Sequence, residues 1–234
     1  MSLSSIKNWI FDLDNTLYPP EENIFSQIDK KMTSFISNSL DISIDEAYEI
    51  QKENFVNHGT TLAGFMNDKN NKINPDKFLE YVHDIDLSTL REDNKLREVL
   101  LLIPGKKYIF TNGTKHHAEN VLKKLNLENI FQSIFGIKEA NYLPKPNVKT
   151  YNLFLKNNKI DPKTSIMFED MSRNLVPAKE LGMTTVLLKR ELPNNNNSLQ
   201  KDKYKDLWDD NYDADYIIDD IAKFINNEYI ENKN

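Results

Sequence analysis

Asp12 and Asp14 stand in the segment Trp9-Ile10-Phe11-Asp12-Leu13-Asp14-Asn15-Thr16, directly after a short apolar run. Side chains alternate across a strand, so the two carboxylates point to one side. They fall at the strand's C-terminal end, where parallel α/β sheets place their sites. Such a pair suits nucleophilic or acid–base chemistry, and it equally suits the capping of a helix. Two more D-x-D triplets, Asp84-Ile85-Asp86 and Asp213-Ala214-Asp215, read as solvated turn or cap residues. Only the first triplet follows an apolar strand and precedes Thr16.

Three later features bear on that choice. Tyr108-Ile109-Phe110 runs into Thr111-Asn112-Gly113-Thr114. A hydroxyl with backbone N–H groups at a strand–helix turn makes an anion site, although Thr114 could also simply cap the next helix. Lys145 lies in Leu143-Pro144-Lys145-Pro146, where the flanking prolines fix the backbone and aim the cation; a surface lysine is the plainer reading. Ile166-Met167-Phe168 ends in Glu169-Asp170, followed by Ser172 and Asn174. Adjacent carboxylates after an apolar strand are costly unless a cation or donors satisfy them. An oxygen-liganded cation such as Mg²⁺ would do so.

The elements that must hold these residues are legible in outline. Apolar strand-like runs recur at Trp9–Phe11, Tyr108–Phe110, Ile134–Ile137, Ile166–Phe168, Thr185–Leu188 and Tyr216–Ile218. After residue 105 they alternate with helical patterns. One starts at Lys115, with Ala118, Val121, Leu122 and Leu125 on a face. Another starts at Asn147, burying Val148, Tyr151 and Leu155. A third carries Leu175, Ala178 and Leu181, with Gly182 placed to end it. Strand–helix alternation with continuously apolar strands predicts an α/β fold, a parallel sheet with helices on both faces.

Residues 19–90 read differently. Ile24, Ile28, Met32, Phe35, Ile36 and Leu40 recur at helical spacing. Ser43-Ile44-Asp45-Glu46 reads as a capping box opening a helix with Ala47, Ile50 and Phe55. Pro75 opens another, carrying Phe78, Leu79 and Val82. An all-helical insert therefore interrupts the α/β pattern after its first strand. Asn194–Asn197 reads as a surface loop.

Composition closes off alternatives. The 234 residues include no cysteine, which excludes disulfide scaffolds, zinc ribbons, thiol nucleophiles and iron–sulfur proteins. The six glycines fit neither G-x-G-x-x-G nor a Walker A loop. A net charge of −6 without a dense basic run argues against nucleic-acid polymers and anionic membranes. No run of about eighteen apolar residues predicts a membrane span, and a cytoplasmic protein is expected.

The order D-x-D-x-T, T-N-G, K-P and E-D-x-x-x-N resembles the haloacid dehalogenase superfamily of aspartate-nucleophile phosphatases. The chain is most similar to its pyrimidine 5′-nucleotidase-like branch, through Phe11-Asp12-Leu13-Asp14-Asn15-Thr16-Leu17-Tyr18-Pro19, Gly59-Thr60-Thr61-Leu62, Ile109-Phe110-Thr111-Asn112-Gly113, Tyr142-Leu143-Pro144-Lys145-Pro146, Phe168-Glu169-Asp170 and Arg173-Asn174-Leu175. The resemblance implies a Rossmann-like core over 1–17 and 91–234, with a helical cap domain over 18–90. It implies Asp12 as nucleophile, Asp14 as acid–base, and Mg²⁺ held by the Asp12 carboxylate, the Asp14 backbone carbonyl and Asp170. Thr111 and the Asn112 N–H would hold phosphoryl oxygens, and Lys145 would neutralise nucleophile and phosphoryl together. Glu169 and Asn174 would support the metal loop and Lys145. The implied partner is a small phosphorylated metabolite, a nucleoside monophosphate with a pyrimidine base preferred.

Outside the core motifs, Tyr18, His58, Thr60, Thr61 and Phe65 are the residues expected at the rim between cap and core. His83 is read as cap surface, and His117 as a solvated or capping residue. His116-His117 has no zinc-site spacing. Another small-molecule phosphatase, acting on sugar phosphates or phosphoglycolate, remains open. A dehalogenase needs neither Asp14 nor a metal, and a non-catalytic phosphate-binding protein normally lacks the nucleophile or the acid.

Overall fold

The computed structural model describes residues 3–70, 73–189 and 214–230. Its strands are β1 (Asn8–Phe11), β2 (Lys106–Phe110), β3 (Ser133–Phe135), β4 (Ser165–Glu169), β5 (Thr184–Leu188) and β6 (Tyr216–Ile218). They form one sheet in the order β3-β2-β1-β4-β5-β6, and every pairing is parallel. Between β1 and β2 run α1 (Ile24–Leu40), α2 (Ile44–His58), α3 (Thr61–Asn67), α4 (Pro75–His83) and α5 (Asn94–Leu102). Then come α6 (Lys115–Lys124), α7 (Val148–Asn158), α8 (Ser172–Glu180) and α9 (Ile221–Ile225).

Alternation along each strand splits the sheet's side chains into two cores. Trp9, Phe11, Ile109, Ile166, Phe168 and Val186 face one side, with residues of α5, α6 and α9. Ile10, Tyr108, Phe110, Met167 and Leu187 face the other, under α7 and α8. Both faces are covered, which is why Asn8–Phe11 is buried throughout. Phe11 stacks on Phe168 across the β1–β4 pair, ring centroids 4.7 Å apart and planes 8° from parallel. That stack pins the register in which Phe11 sits level with both Ile109 and Phe168. The C-terminal ends of three adjacent strands therefore line up, and Asp12, Thr111 and Glu169 emerge together.

Helices α1–α4 carry a core of their own: Ile28, Ile36, Ala47, Leu62, Phe65, Phe78, Leu79 and Val82, joined by Ile137 from the segment after β3. Tyr18, Ile24 and Leu90, near the ends of that insert, belong instead to the sheet-side core. No helix among the described residues is long and apolar enough to cross a membrane.

Local chemistry matches the caps read from sequence. Ser43 Oγ accepts from the Glu46 N–H at 3.2 Å, opening α2. Pro75 occupies the first turn of α4 behind Asn74, whose side chain accepts from Lys77 N–H. Gly182, φ +94°, follows α8 in the left-handed region. Helices α3 and α5 carry no expectation from sequence; at seven and nine residues they are too short to show a full periodic stripe. Strand β3 ends at Phe135, so Ile137 leaves the sheet for the helical layer. Asn194–Asn197 lies outside the described residues.

Candidate active site

Lys145 is the centre of the arrangement. Its ammonium is 1% exposed and donates to Asp12 Oδ1, Glu169 Oε1 and the Phe110 carbonyl, each at 2.8 Å. Three acceptors match the three N–H bonds of the group. Burial alone would favour the neutral amine, but the Asp12 and Glu169 charges outweigh it and push the lysine above its ordinary range. Burial raises Asp12 to about 7, with Lys145 opposing and Glu169 adding to the rise. Burial also works against the charged form of Glu169, yet the Lys145 ammonium and the donated bonds hold that carboxyl below its usual range.

Each charged group is oriented by a neighbour. Thr16 Oγ1 donates to Asp12 Oδ2 at 3.0 Å. The Asn112 amide grips the Lys145 backbone twice: Nδ2 donates to its carbonyl at 3.2 Å and Oδ1 accepts from its N–H at 2.8 Å. Asn174 Nδ2 donates to Glu169 Oε1 at 2.5 Å, and the Met171 N–H donates to Glu169 Oε2 at 2.8 Å. Tyr151 donates in turn to the Asn174 carbonyl. Thr111 Oγ1 accepts from the Gly113 N–H at 2.9 Å, so its own proton is available for an anion in front of the turn.

Asp14 sits in a separate cluster. Its Oδ1 accepts from Tyr18 Oη at 2.5 Å and from His117 Nε2 at 2.8 Å. The His117 ring is 1% exposed and stacks on His83 of α4, centroids 4.5 Å apart and planes 18° from parallel. Burial would raise Asp14, but the neighbouring His117 and the two donated bonds bring it below the ordinary carboxylate value. Burial and the Asp14 charge push the Tyr18 hydroxyl well up, so it keeps its proton and can donate to Asp14. Burial, then the charge of His117, depresses His83 to about 3.

Carboxylate oxygens of Asp12, Glu169 and Asp170 all lie within 4.8 Å of one another. Lys145 offsets only part of that charge. Burial and the charges of Glu169 and Asp12 push Asp170 well above its usual range, and the Asn174 Oδ1 has no hydrogen-bond partner among the described residues. The set is hard, anionic and short of positive charge, which fits a divalent oxygen-liganded cation.

These groups form one end of a pocket whose other walls come from the helical layer. Phe25, Ile28 and Met32 of α1 and Phe78, Leu79 and Val82 of α4 make it largely apolar. Polar groups enter it from α1 and α2: Gln51 donates to Asp29 Oδ1 at 2.6 Å and accepts from Thr33 Oγ1 at 2.5 Å, and Lys52 pairs with Asp29 at 2.8 Å.

A profile of the haloacid dehalogenase-like hydrolases matches residues 9–188. The chain belongs to that family. Among its relatives, the Saccharomyces cerevisiae "Phosphate metabolism protein 8" is 27% identical over 77% of this chain, which spans only 61% of the yeast protein's length. A "Glyceraldehyde 3-phosphate phosphatase" of Methanocaldococcus jannaschii is 25% identical, covering 94% of this chain and 96% of its own. A solved HAD phosphatase from Thermococcus onnurineus superposes with a TM-score of 0.58 at 21% identity, over 95% of this chain and 97% of that one. The β-phosphoglucomutase of Clostridium difficile gives 0.57 at 17%, over 97% and 99%. At those identities the superpositions show the haloacid dehalogenase-like fold alone.

Within that fold the residues expected from the core motifs converge, while those expected at the rim divide. Thr60 and Thr61 line the pocket, but their hydroxyls are used at home: Thr60 caps α3 through the Ala63 N–H and Thr61 donates to the Gln51 carbonyl. Tyr18 is not at the rim; it is 1% exposed and bound to Asp14. Phe65 is packed inside the helical layer. His58 is exposed, with Asn67 Nδ2 3.3 Å from its Nδ1. His117 is neither a cap nor solvated: Thr114 caps α6, its Oγ1 accepting from the His117 N–H, and the His117 ring is buried on Asp14. His83 is not plain surface either, since it lines the pocket and stacks on His117. Asp29, Gln51 and Lys52 escape the sequence reading, although Gln51 follows Ala47 by one turn on the buried face of α2, an anomalous place for an amide.

Proposed function

We propose that this hydrolase is a phosphatase that cleaves phosphomonoesters through an aspartyl-phosphate on Asp12, with pyrimidine nucleoside 5′-monophosphates as preferred substrates. The observation that carries the chemistry is Lys145 Nζ bound at 2.8 Å to both Asp12 and Glu169, with Asp170 alongside. A carboxylate attacking a phosphate dianion needs charge neutralisation above all, and that is what this cluster offers.

In this reading the Asp12 carboxylate attacks phosphorus while Lys145 neutralises the closing pair of anions. Thr111 Oγ1 and the Asn112 N–H bind phosphoryl oxygens. Asp14 protonates the leaving alkoxide and then draws a proton from the water that hydrolyses the phosphoenzyme. The dianion brought beside it favours the protonated form that the first step requires. The Asp12 carboxylate, the Asp14 backbone carbonyl and Asp170 would hold Mg²⁺, with Glu169 and Asn174 supporting them. When bound, Mg²⁺ adds charge that offsets the phosphoryl oxygens. Helices α1–α4, in residues 18–90, serve as a cap that keeps bulk water from the phosphoenzyme.

Support for the leaving group is the pocket itself. Its apolar walls suit a planar base, and the Asp29–Gln51–Lys52 group offers both donors and acceptors to a base edge. The second reading, a small sugar or triose phosphate, is favoured by the full-length similarity to the Methanocaldococcus jannaschii enzyme. A panel of UMP, CMP, AMP, GMP, glucose 6-phosphate, phosphoglycolate and glyceraldehyde 3-phosphate decides between them. UMP and CMP are expected to lead in kcat/KM. A tenfold advantage for a sugar phosphate, about 1.4 kcal/mol of transition-state preference, overturns the nucleotide reading and leaves the phosphatase chemistry standing.

A further inference from the structure

Asp14 is held in an unequal way. Two donors, Tyr18 Oη and His117 Nε2, converge on the same oxygen, Oδ1. The other oxygen, Oδ2, lies toward Gly113: a Cβ built on that glycine would stand 3.6 Å from Asp14 Oδ2, 3.2 Å from His117 Cδ2 and 3.3 Å from Thr111 Oγ1. Asp14, Gly113 and Thr111 all line the pocket. The carboxylate thus has a fixed back and a working front.

We propose that Tyr18 and His117 are positioning residues for the acid–base step, occupying Oδ1 of Asp14 so that Oδ2 alone meets the leaving-group oxygen, with the His83 ring on α4 bracing His117 from behind. The proposal rests on the phosphatase reading above. In the first half-reaction an Asp12 oxygen bonds to phosphorus as the phosphorus–ester bond breaks. The electron pair of that bond goes to the ester oxygen, which takes the proton from Oδ2. In the second half, water oxygen bonds to phosphorus, the Asp12–phosphorus bond breaks with its pair returning to Asp12, and Oδ2 accepts the water's proton. Asp14 ends as it began. Throughout, Oδ1 stays an acceptor to two donors, whether or not Oδ2 carries its proton, so the carboxyl does not rotate between the half-reactions.

The two donors come from very different parts of the chain. Tyr18 reaches back one helical turn beyond Asp14, while His117 arrives from the first turn of α6, 103 residues later. His83 ties this pair to the helical layer, so the acid–base group senses where that layer sits. The small size of Gly113 completes the device, because a methyl there would press on the His117 ring and on Thr111 at once.

The test separates proton donation from simple packing. p-Nitrophenolate leaves without a proton, whereas an alkoxide does not, and kcat/KM reports steps only through the first phosphoryl transfer. In Tyr18→Phe, kcat/KM for UMP (or for β-glycerophosphate if nucleotides are refused) is expected to fall roughly tenfold or more. The value for p-nitrophenyl phosphate should stay within about threefold. His117→Leu should repeat that pattern, and His117→Gln, whose amide can still donate to Oδ1, should recover most of the loss. Equal losses on both substrates, or no loss on either, overturn the proposal. If His117→Leu does not fold, Tyr18→Phe decides alone, since its ring keeps the buried volume. Failure of the wild-type protein to release phosphate from any of these esters would sink the phosphatase reading instead, a distinguishable result.

Discussion

Asn112 holds Lys145 by its main chain, with the amide oxygen on the lysine N–H at 2.8 Å and the amide nitrogen on its carbonyl at 3.2 Å. The β2 turn therefore sets the position from which the lysine side chain departs toward Asp12. Asn112→Ala removes both bonds while leaving every charged group in place. It is expected to lower kcat by about 10–100-fold, in line with a small misplacement of a catalytic group, with a modest loss of thermal stability. Steady-state kinetics beside a melting curve checks this.

Asp12→Asn keeps the shape of the side chain and removes the nucleophile. Turnover is expected to fall on the order of 10⁴-fold or more. The Glu169 and Phe110 partners of Lys145 remain, so circular dichroism and the melting temperature should stay close to wild type. Near-normal turnover in this variant would remove Asp12 from the mechanism.

The excess of carboxylates around one lysine makes the apo protein electrostatically strained. Mg²⁺ is expected to raise the melting temperature as well as restore activity after EDTA. Saturation at about 100 times the dissociation constant contributes roughly 2.7 kcal/mol. Asp170→Asn should abolish the Mg²⁺-dependent shift. A melting curve indifferent to Mg²⁺ would count against the site.

His83 gives a pH signature that needs no assay of activity. Its folded value of about 3 lies below the ordinary 6.5, so between those limits the unfolded chain binds the extra proton. Stability from this group is complete above about pH 6.5 and drains as pH falls toward 3. The groups around it are His117, Thr114 and, at longer range, Asp14 and His116. Between pH 7 and pH 5 the loss should reach about 2 kcal/mol. Denaturant titrations of His83→Gln should be flatter over that interval by a comparable amount.

Gln51 is expected to act on the leaving group and not on the phosphoryl. Gln51→Leu should lower kcat/KM for the preferred nucleotide by about 10–100-fold and that for p-nitrophenyl phosphate far less. Equal losses on both would remove the α2 amide from substrate selection.

What could be read from the sequence had a local signature. Trp9-Ile10-Phe11 before Asp12, and Ile166-Met167-Phe168 before Glu169, announce buried parallel strands and the sites at their ends because both signals sit within a few residues. The local sequence foreshadowed the Lys145 contact through its flanking prolines, and the resemblance of its K-P motif supplied the role. His117 shows the limit: nothing in the spacing joins it to a residue 103 positions earlier, and a histidine in a helix's first turn looks the same whether its ring faces water or a carboxylate. Tyr18 shows another, since an aromatic ring near a pocket is expected to stack, and only the fold reveals its hydroxyl turned inward to Asp14. Short helices such as α3 carry too few residues for periodicity to speak.

The position of β1 at the middle of the sheet has a consequence for synthesis. Its two partners, β2 and β4, begin at residues 106 and 165. On the ribosome, Trp9, Ile10 and Phe11 therefore wait unpaired while the whole helical insert is made, roughly 5–20 s at ordinary elongation rates. The insert has a hydrophobic core to collapse around during that interval, whereas the first strand has none. The nascent chain thus presents three large apolar side chains beside an uncompensated pair of aspartates until β2 and β4 are made.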